Sequence, residues 1–322
     1  MTSSISDKET YRELCETEGD RIPLFQQYWW METVCTGKHW DVALARAKDG
    51  TVTGALPYLI GSKFGLRYIL QPQLTQYNGP WYRYPDGLPV RKRIQFQYDV
   101  DEQLIEHIKG LNLAFFSQNF SPFAGNWLPF HWAGFRQTTR YSYRIDDISN
   151  PQQVFNGFRK RDRQTRINSL MPQLEVVDNI APSDFAQMHQ RYLREIGKQS
   201  VVGIELVENV CRRSVERGQG LIVGLREKSS AKLLGATFAV YDSQCAYSLM
   251  AALDRKAVGV SECLFWTAIL SLSGRTKAFD FEGSMQKSIE YLYRSFGAEP
   301  VTYHHIWKTR SRLLSLILSN RI

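Results

Sequence analysis

Two distant stretches of the chain show the same rhythm of apolar and polar residues. DVALARAKDGTVTGALPYLI, Asp41 to Ile60, reads as strand, short polar turn, strand, and so does LIVGLREKSSAKLLGATFAVYD, Leu221 to Asp242. Alternation at a period of two marks a strand with one buried face. Each second strand opens on Gly-Ala, at Gly54-Ala55 and Gly235-Ala236, and Asp49-Gly50 and Ser229-Ser230 supply turn chemistry. A third strand follows in both, FGLRYIL and QCAYSLMAA. Further on, AFFSQNF near Phe115 matches AFDFEGS near Phe279, and Trp132 to Ile145 matches Ser295 to Lys308. Similar blocks in the same order predict two copies of one fold.

Helices fall between the strands. VSECLFWTAILSLSG, Val260 to Gly274, is apolar nearly all round, which predicts a buried helix stopped by Gly274. In MQKSIEYLYRSFG, residues Ile289, Leu292, Tyr293 and Phe296 recur at i, i+3, i+4 and i+7; this predicts an amphipathic helix capped by Ser284 and ended by Gly297. QQVFNGFRKRDRQTRINSL reads as one basic helix. The boundary between the copies falls between Asp146 and Pro151, giving domains 1–148 and 149–322, with the better candidate site in the second. The tail TRSRLLSLILSNRI is basic with an apolar block, suited to docking on the second half or to a membrane surface.

Composition narrows the partners. Forty Lys and Arg against 32 Asp and Glu leave a formal charge of +8, which favours phosphates, nucleotides, CoA or RNA. No run of about 18 apolar residues predicts a membrane span. The N-terminal MTSSISDKETYREL has no signal-peptide core, so a cytoplasmic protein is expected. Five widely spaced cysteines without a CxxC pair read as reduced thiols. The six histidines contain no HExxH, and His304 and His305, adjacent on a strand, point to opposite faces, so no metal site is expected. Oligomeric state is not legible.

The order of elements resembles that of the GNAT acetyltransferases. FDFEGSMQKSIEYLYRSFGAEPVTYHHIWK, Phe279 to Lys308, resembles the C-terminal signature of Fem-like transferases: a strand ending in an Asp-Phe-x-Gly turn, a helix, Phe-Gly, and a last strand with an aromatic residue and Lys. IPLFQQYWW, WDVALA, GALPYLI and LTQYNGPW resemble the same group, so the likeness runs from about Ile22 to Lys308. It implies an α/β (α+β) chain of tandem GNAT-like domains, each a mixed, mainly antiparallel sheet with flanking helices. It also implies an acyltransferase that moves an acyl or aminoacyl group to an amine acceptor. Acyl-CoA, acetyl-CoA included, is the first expectation for the donor. The alternative is an aminoacyl-tRNA-dependent transferase acting on a UDP-linked muropeptide, a peptidoglycan precursor. A non-catalytic binding protein of the same fold is a third reading.

The resemblance also implies where chemistry sits. In a GNAT half the sheet splays after its third strand, and the next helix offers its N-terminal N–H groups to a pyrophosphate. The matching place is ALDRKAVGVSECLFW, with Arg255, Lys256, Gly259 and Ser261 as cofactor-binding candidates, against an ordinary helix start. Asp280 and Glu282 share one face of a strand, where an unpaired buried carboxylate is costly. Glu282, at the strand end, is the candidate base for an amine, with Gly283 and Ser284 lining the substrate; pairing with Arg or Lys is the alternative. GNAT enzymes often use a Tyr on the last helix to protonate the leaving group. Tyr291 and Tyr293 stand there, and Tyr293 is the candidate, although its place on the apolar stripe also suits packing. His304 shares a strand face with Lys308, making His304 a candidate base and Lys308 a substrate contact; a structural role is the alternative. Arg159, Arg163 and Arg166, at i, i+4 and i+7, would share a helix face and capture phosphate from a nucleotide-linked acceptor or tRNA, or form a solvated face. Asn168-Ser169 departs from the Lys-Ala that relatives often carry there.

Overall fold

A computed structural model describes residues 6–283 and 285–310; Ser284 and the tail from residue 311, both singled out above, lie outside the described residues. The chain forms two compact units: residues up to Arg140 together with those from Thr302, and Tyr141 to Val301. In chain order the elements are α1 (Asp7–Glu18), α2 (Tyr28–Val34), β1 (His39–Arg46), β2 (Val52–Lys63), β3 (Leu66–Leu70), β4 (Trp81–Tyr82), α3 (Val90–Gly110), β5 (Phe115–Phe120), α4 (Leu128–Trp132) and β6 (Arg136–Ile145), which leads into the second unit. There follow α5 (Pro151–Gly157), α6 (Thr165–Leu170), β7 (Leu174–Val177), α7 (Pro182–Glu195), α8 (Ile204–Glu216), β8 (Gly220–Glu227), β9 (Leu233–Tyr241), β10 (Cys245–Leu253), α9 (Val260–Leu272), β11 (Ala278–Asp280) and α10 (Lys287–Arg294). β12 (Glu299–Thr309) returns to the first unit.

Both predicted hairpins form, and local chemistry explains their turns. Asp49 accepts from the Thr51 amide at 2.9 Å, and Gly50 supplies a φ of +89° that other residues adopt only with strain. In the first unit β1, β2 and β3 are successively antiparallel and β3 lies parallel to β5. In the second, β8, β9 and β10 repeat that order and β10 lies parallel to β11. Two helices precede each hairpin and one follows each third strand. The chain is therefore α/β with two units of one plan, as its alternating patterns predict.

Each unit has its own core. Ile60, Ile69, Leu104, Phe116, Phe130 and Ile306 anchor the first. Leu225, Ala239, Leu264, Phe279, Phe281 and Phe296 anchor the second, with α9 buried along Val260, Cys263, Leu264, Ala268 and Ile269. Each large side chain so buried contributes about 1.5–3 kcal/mol. All five cysteines are buried free thiols.

Two features depart from the sequence reading. Each unit is closed by a strand from the other half of the sequence. In the first unit β12 pairs antiparallel with β5 from His304↔Phe120 to Thr309↔Phe115; in the second β6 pairs with β11 at Ile145↔Phe279 and Arg144↔Asp280. The division accordingly falls within these strands, at Arg140/Tyr141 and Val301/Thr302, where the sequence reading placed it at 148/149. The stretch read as one basic helix is also broken. Phe158, after α5, is extended (φ −69°, ψ 144°) and buried, its ring 4.9 Å from Phe296 and 5.5 Å from Trp266. Residues Lys160–Gln164 then form a wider π turn before α6. Burying Phe158 outweighs continuing the helix, and the π turn re-aims the arginines.

Candidate active site

The second unit opens its sheet beside β11. β10 and β11 pair only from Cys245↔Ala278 to Tyr247↔Asp280, while β10 continues to Leu253. Beyond Asp280 the chain turns sharply: Phe281 donates its amide to the Tyr143 carbonyl at 2.9 Å, and Glu282 takes a left-handed φ of +57°. Gly283 then passes so close to β6 that a Cβ there would lie 2.0 Å from the Tyr141 carbonyl oxygen. A non-glycine φ above zero beside an obligatory glycine is strain fixed by its surroundings.

This turn gathers three polar side chains, Asp280, Glu282 and Tyr293. Asp280 is buried; its Oδ1 accepts from the Ser142 hydroxyl and from the Glu282 amide, the latter at 2.8 Å. Glu282 as a residue is half-buried, but its Oε1 is buried with no hydrogen-bond partner among the described residues. Burial, and then the neighbouring Asp280, raise the Glu282 carboxyl well above the usual range. A raised pKa favours the protonated carboxyl, which can donate a proton as well as, once ionised, accept one. Tyr293 on α10 stacks on Phe281 with centroids 5.1 Å apart. Burial, and then the charges of Glu282 and Asp280, push its phenol upward as well. The structure thus brings Tyr293 and Glu282 together, with Gly283 shaping the turn.

His304 and Lys308 belong to the first unit. Gln137 donates to His304 Nδ1 at 2.7 Å, and burial lowers the His304 pKa. Lys308 donates to the Ala133 carbonyl at 2.7 Å and sits 4.9 Å over the Phe135 ring; burial, then Lys109, lowers its pKa. On the opposite strand face His305 is buried, its Nδ1 2.8 Å from Asn119 Oδ1 and its Nε2 3.3 Å from the Ser117 hydroxyl. An amide oxygen only accepts, so Nδ1 carries a proton and donates it to Asn119.

The candidate phosphate loop and the candidate phosphate-binding arginines meet each other. Gly259 opens α9 with φ +89°, and a Cβ on it would lie 2.6 Å from the Arg166 side chain. Glu262, in the first turn of α9, is buried and accepts from Arg163 at 2.5 Å, Arg166 at 2.6 Å and the Ser261 hydroxyl at 2.6 Å. Burial works to raise its pKa, but the bonds from Ser261, its own amide and Arg166, and the charge of Arg163, outweigh it and hold the carboxyl below its ordinary value. The helix N-terminus therefore already faces an anion, one belonging to the chain. Arg163 is buried and also donates to the Ser295 hydroxyl at 2.6 Å. Arg159 turns elsewhere: it pairs with Asp162 at 3.2 Å and lies 5.5 Å over the Tyr291 ring, bonded to that hydroxyl. The three arginines do not form one face. Arg255 caps the end of α7 through the Glu195 carbonyl at 2.7 Å, and Lys256 is exposed. Glu262 and Ser142 escaped the sequence reading. The available signal was a lone carboxylate in a helix otherwise apolar, which demands a cation.

Among the described residues no group of three or more His, Cys, Asp or Glu is arranged to hold a metal ion, and no helix is long and apolar enough to cross a membrane. No family model and no curated protein matches the chain. Solved structures do. FemX superposes with a TM-score of 0.68 at 12% identity, over 94% of this chain and 96% of FemX. A conserved protein of unknown function from Bacteroides thetaiotaomicron gives 0.59 at 11%, over 96% and 99%. L-PGS from Bacillus licheniformis gives 0.57 at 12%, over 99% and 98%. Identities this low with agreement along the whole length speak to architecture. The chain has the fold of FemX, built from two units of one plan.

Proposed function

We propose that the second unit transfers an acyl or aminoacyl group from an ester or thioester donor to an amine, in the splay beyond Tyr247 and Asp280. The observation that carries this is the buried Oε1 of Glu282, without a partner among the described residues, at the end of the splayed pair. A carboxyl without a partner is costly in a folded protein and marks a group held for a ligand. The amine nitrogen attacks the acyl carbon, the bond to the leaving oxygen or sulfur breaks, and Glu282 gives its proton to that atom. The resulting carboxylate takes a proton from the newly bonded nitrogen, which restores the acid. The Tyr293 phenol is the second donor near the leaving group. Asp280 is a positioning residue, holding the turn through Ser142 and the Glu282 amide.

Of the two donors, the aminoacyl ester of a tRNA fits better than acyl-CoA. A CoA pyrophosphate at the start of α9 would have to displace the Glu262 carboxylate from two arginines and a serine. A tRNA donor needs no such displacement, and exposed Arg159, Arg255 and Lys256 remain for its backbone. Ligand binding to the native state raises the melting temperature. Charged tRNA is expected to raise it and acetyl-CoA to leave it unchanged; the reverse would restore the CoA reading. Transfer to a UDP-linked muropeptide is the activity to assay first. No transfer with either donor to any amine offered would leave a binding protein.

A further inference from the structure

We propose that the first unit docks on anionic lipid bilayers through the start of α3 and the exposed face of α4. This surface is independent of the transfer chemistry. Trp132 is 64% exposed and Leu128 42%, and as i, i+4 neighbours they share a face of α4. The Trp132 ring meets Tyr98 of α3 edge-on, with centroids 5.4 Å apart, and Asn126 donates to the Tyr98 hydroxyl at 3.3 Å, so the two segments form one surface. Ile94, 46% exposed, and Val90, 74% exposed, continue the stripe from Tyr98 at successive turns. Arg91, one turn before Ile94, and Lys92 are exposed and form no ion pair among the described residues.

Singly exposed apolar residues are ordinary, but this group is contiguous. No acidic residue occurs from Val90 to Tyr98 or from Ser121 to Phe135, and exposed Asp86 and Asp99 flank the first of these stretches. A protein partner would suit the apolar part. Arg91 and Lys92 together with Trp132 and Tyr98 suit a headgroup layer, where amphipathic rings sit at the interface and basic side chains meet anionic lipid.

Flotation of the full chain with phosphatidylcholine vesicles, with and without phosphatidylserine, tests this. Binding is expected only with phosphatidylserine and is expected to weaken at high salt. Arg91→Glu combined with Lys92→Glu should lower partitioning about tenfold or more, since each basic residue near such a surface contributes severalfold. Trp132→Ser with Leu128→Ser should also lower it at an unchanged melting temperature. If that pair unfolds the protein, the charge-reversed variant alone decides. Absence of binding, equal binding without phosphatidylserine, or binding indifferent to the charge reversal overturns the proposal. So does a lipid-free dimer that Trp132→Ser dissolves, which would make the surface a protein interface.

Discussion

Arg163 and Glu262 form a buried ion pair at 2.5 Å that fills the start of α9. Removing one member leaves the other charged inside the protein. Arg163→Ala leaves Glu262 with Arg166 and Ser261 only, and is expected to cost about 1–3 kcal/mol, read from urea unfolding. A loss under 1 kcal/mol would show the pair to be dispensable and return Arg163 to the list of ligand-binding residues. The pH dependence has a definite sign. The Glu262 carboxyl is depressed in the folded chain, so its contribution is present above its unfolded value of about 4.3 and is lost as pH falls through the lower folded value. Glu262→Gln should flatten that acid limb of the stability curve.

Glu282 predicts the opposite slope. Its folded pKa is raised, so the protonated form favours folding; that stability is complete below about pH 4.3 and is lost as pH rises toward the folded value. Glu282→Gln keeps the shape without a titrating proton. It should melt higher than the parent chain by a margin that grows as pH rises above about 4.3 toward the raised folded value. If Glu282 is the proton carrier, the same variant should transfer about 100-fold more slowly or worse. Unchanged turnover with the predicted stability trend would keep the electrostatics and discard the catalytic role.

His305 offers a spectroscopic check on the first unit. Burial, and then Arg140, lower its pKa from 6.5 to about 4. A depressed histidine contributes stability above its unfolded pKa and loses it as pH falls to the folded one, here between 6.5 and about 4. Its imidazole signals in an NMR titration should stay those of the neutral ring until near that lower limit. A midpoint at the ordinary value would mean that His305 is not buried beside Arg140 in solution.

Gly283→Ala tests the turn by sterics alone. Its Cβ would meet backbone, the Tyr141 carbonyl oxygen at 2.0 Å, and backbone cannot rotate aside as a side chain can. A destabilisation of about 1–3 kcal/mol is expected, with transfer lost more steeply as Glu282 is displaced. A variant with full stability and full activity would show that Gly283 is not confined by β6.

The hairpins were legible because alternation and turn chemistry are local: Asp49 and Gly50 act within their own turn. The broken basic helix was not, because its cause lies far along the chain, in the rings of Trp266 and Phe296 that bury Phe158. The exchange of closing strands was invisible for a similar reason. Alternation shows which face of β6 or β12 is buried but not which neighbour it joins. At the site, the strand-end position of Glu282 could be read from FDFEG. Its left-handed backbone and its burial could not, since they depend on the close passage of Gly283 by β6 and on the packing around it. Arg163 looked like a ligand-seeking cation because its partner, Glu262, lies in a helix read as apolar.

The exchanged strands also bear on the order of assembly. All the strands that pair within Tyr141 to Val301 come from one continuous stretch, so that unit can close once the stretch is synthesised. The first unit cannot. β5 keeps an unpaired edge until His304 to Thr309 have been made, nearly two hundred residues later, and an open strand edge invites association with other chains. Closure over that distance is entropically slow. The unit encoded first is thus the last to be completed.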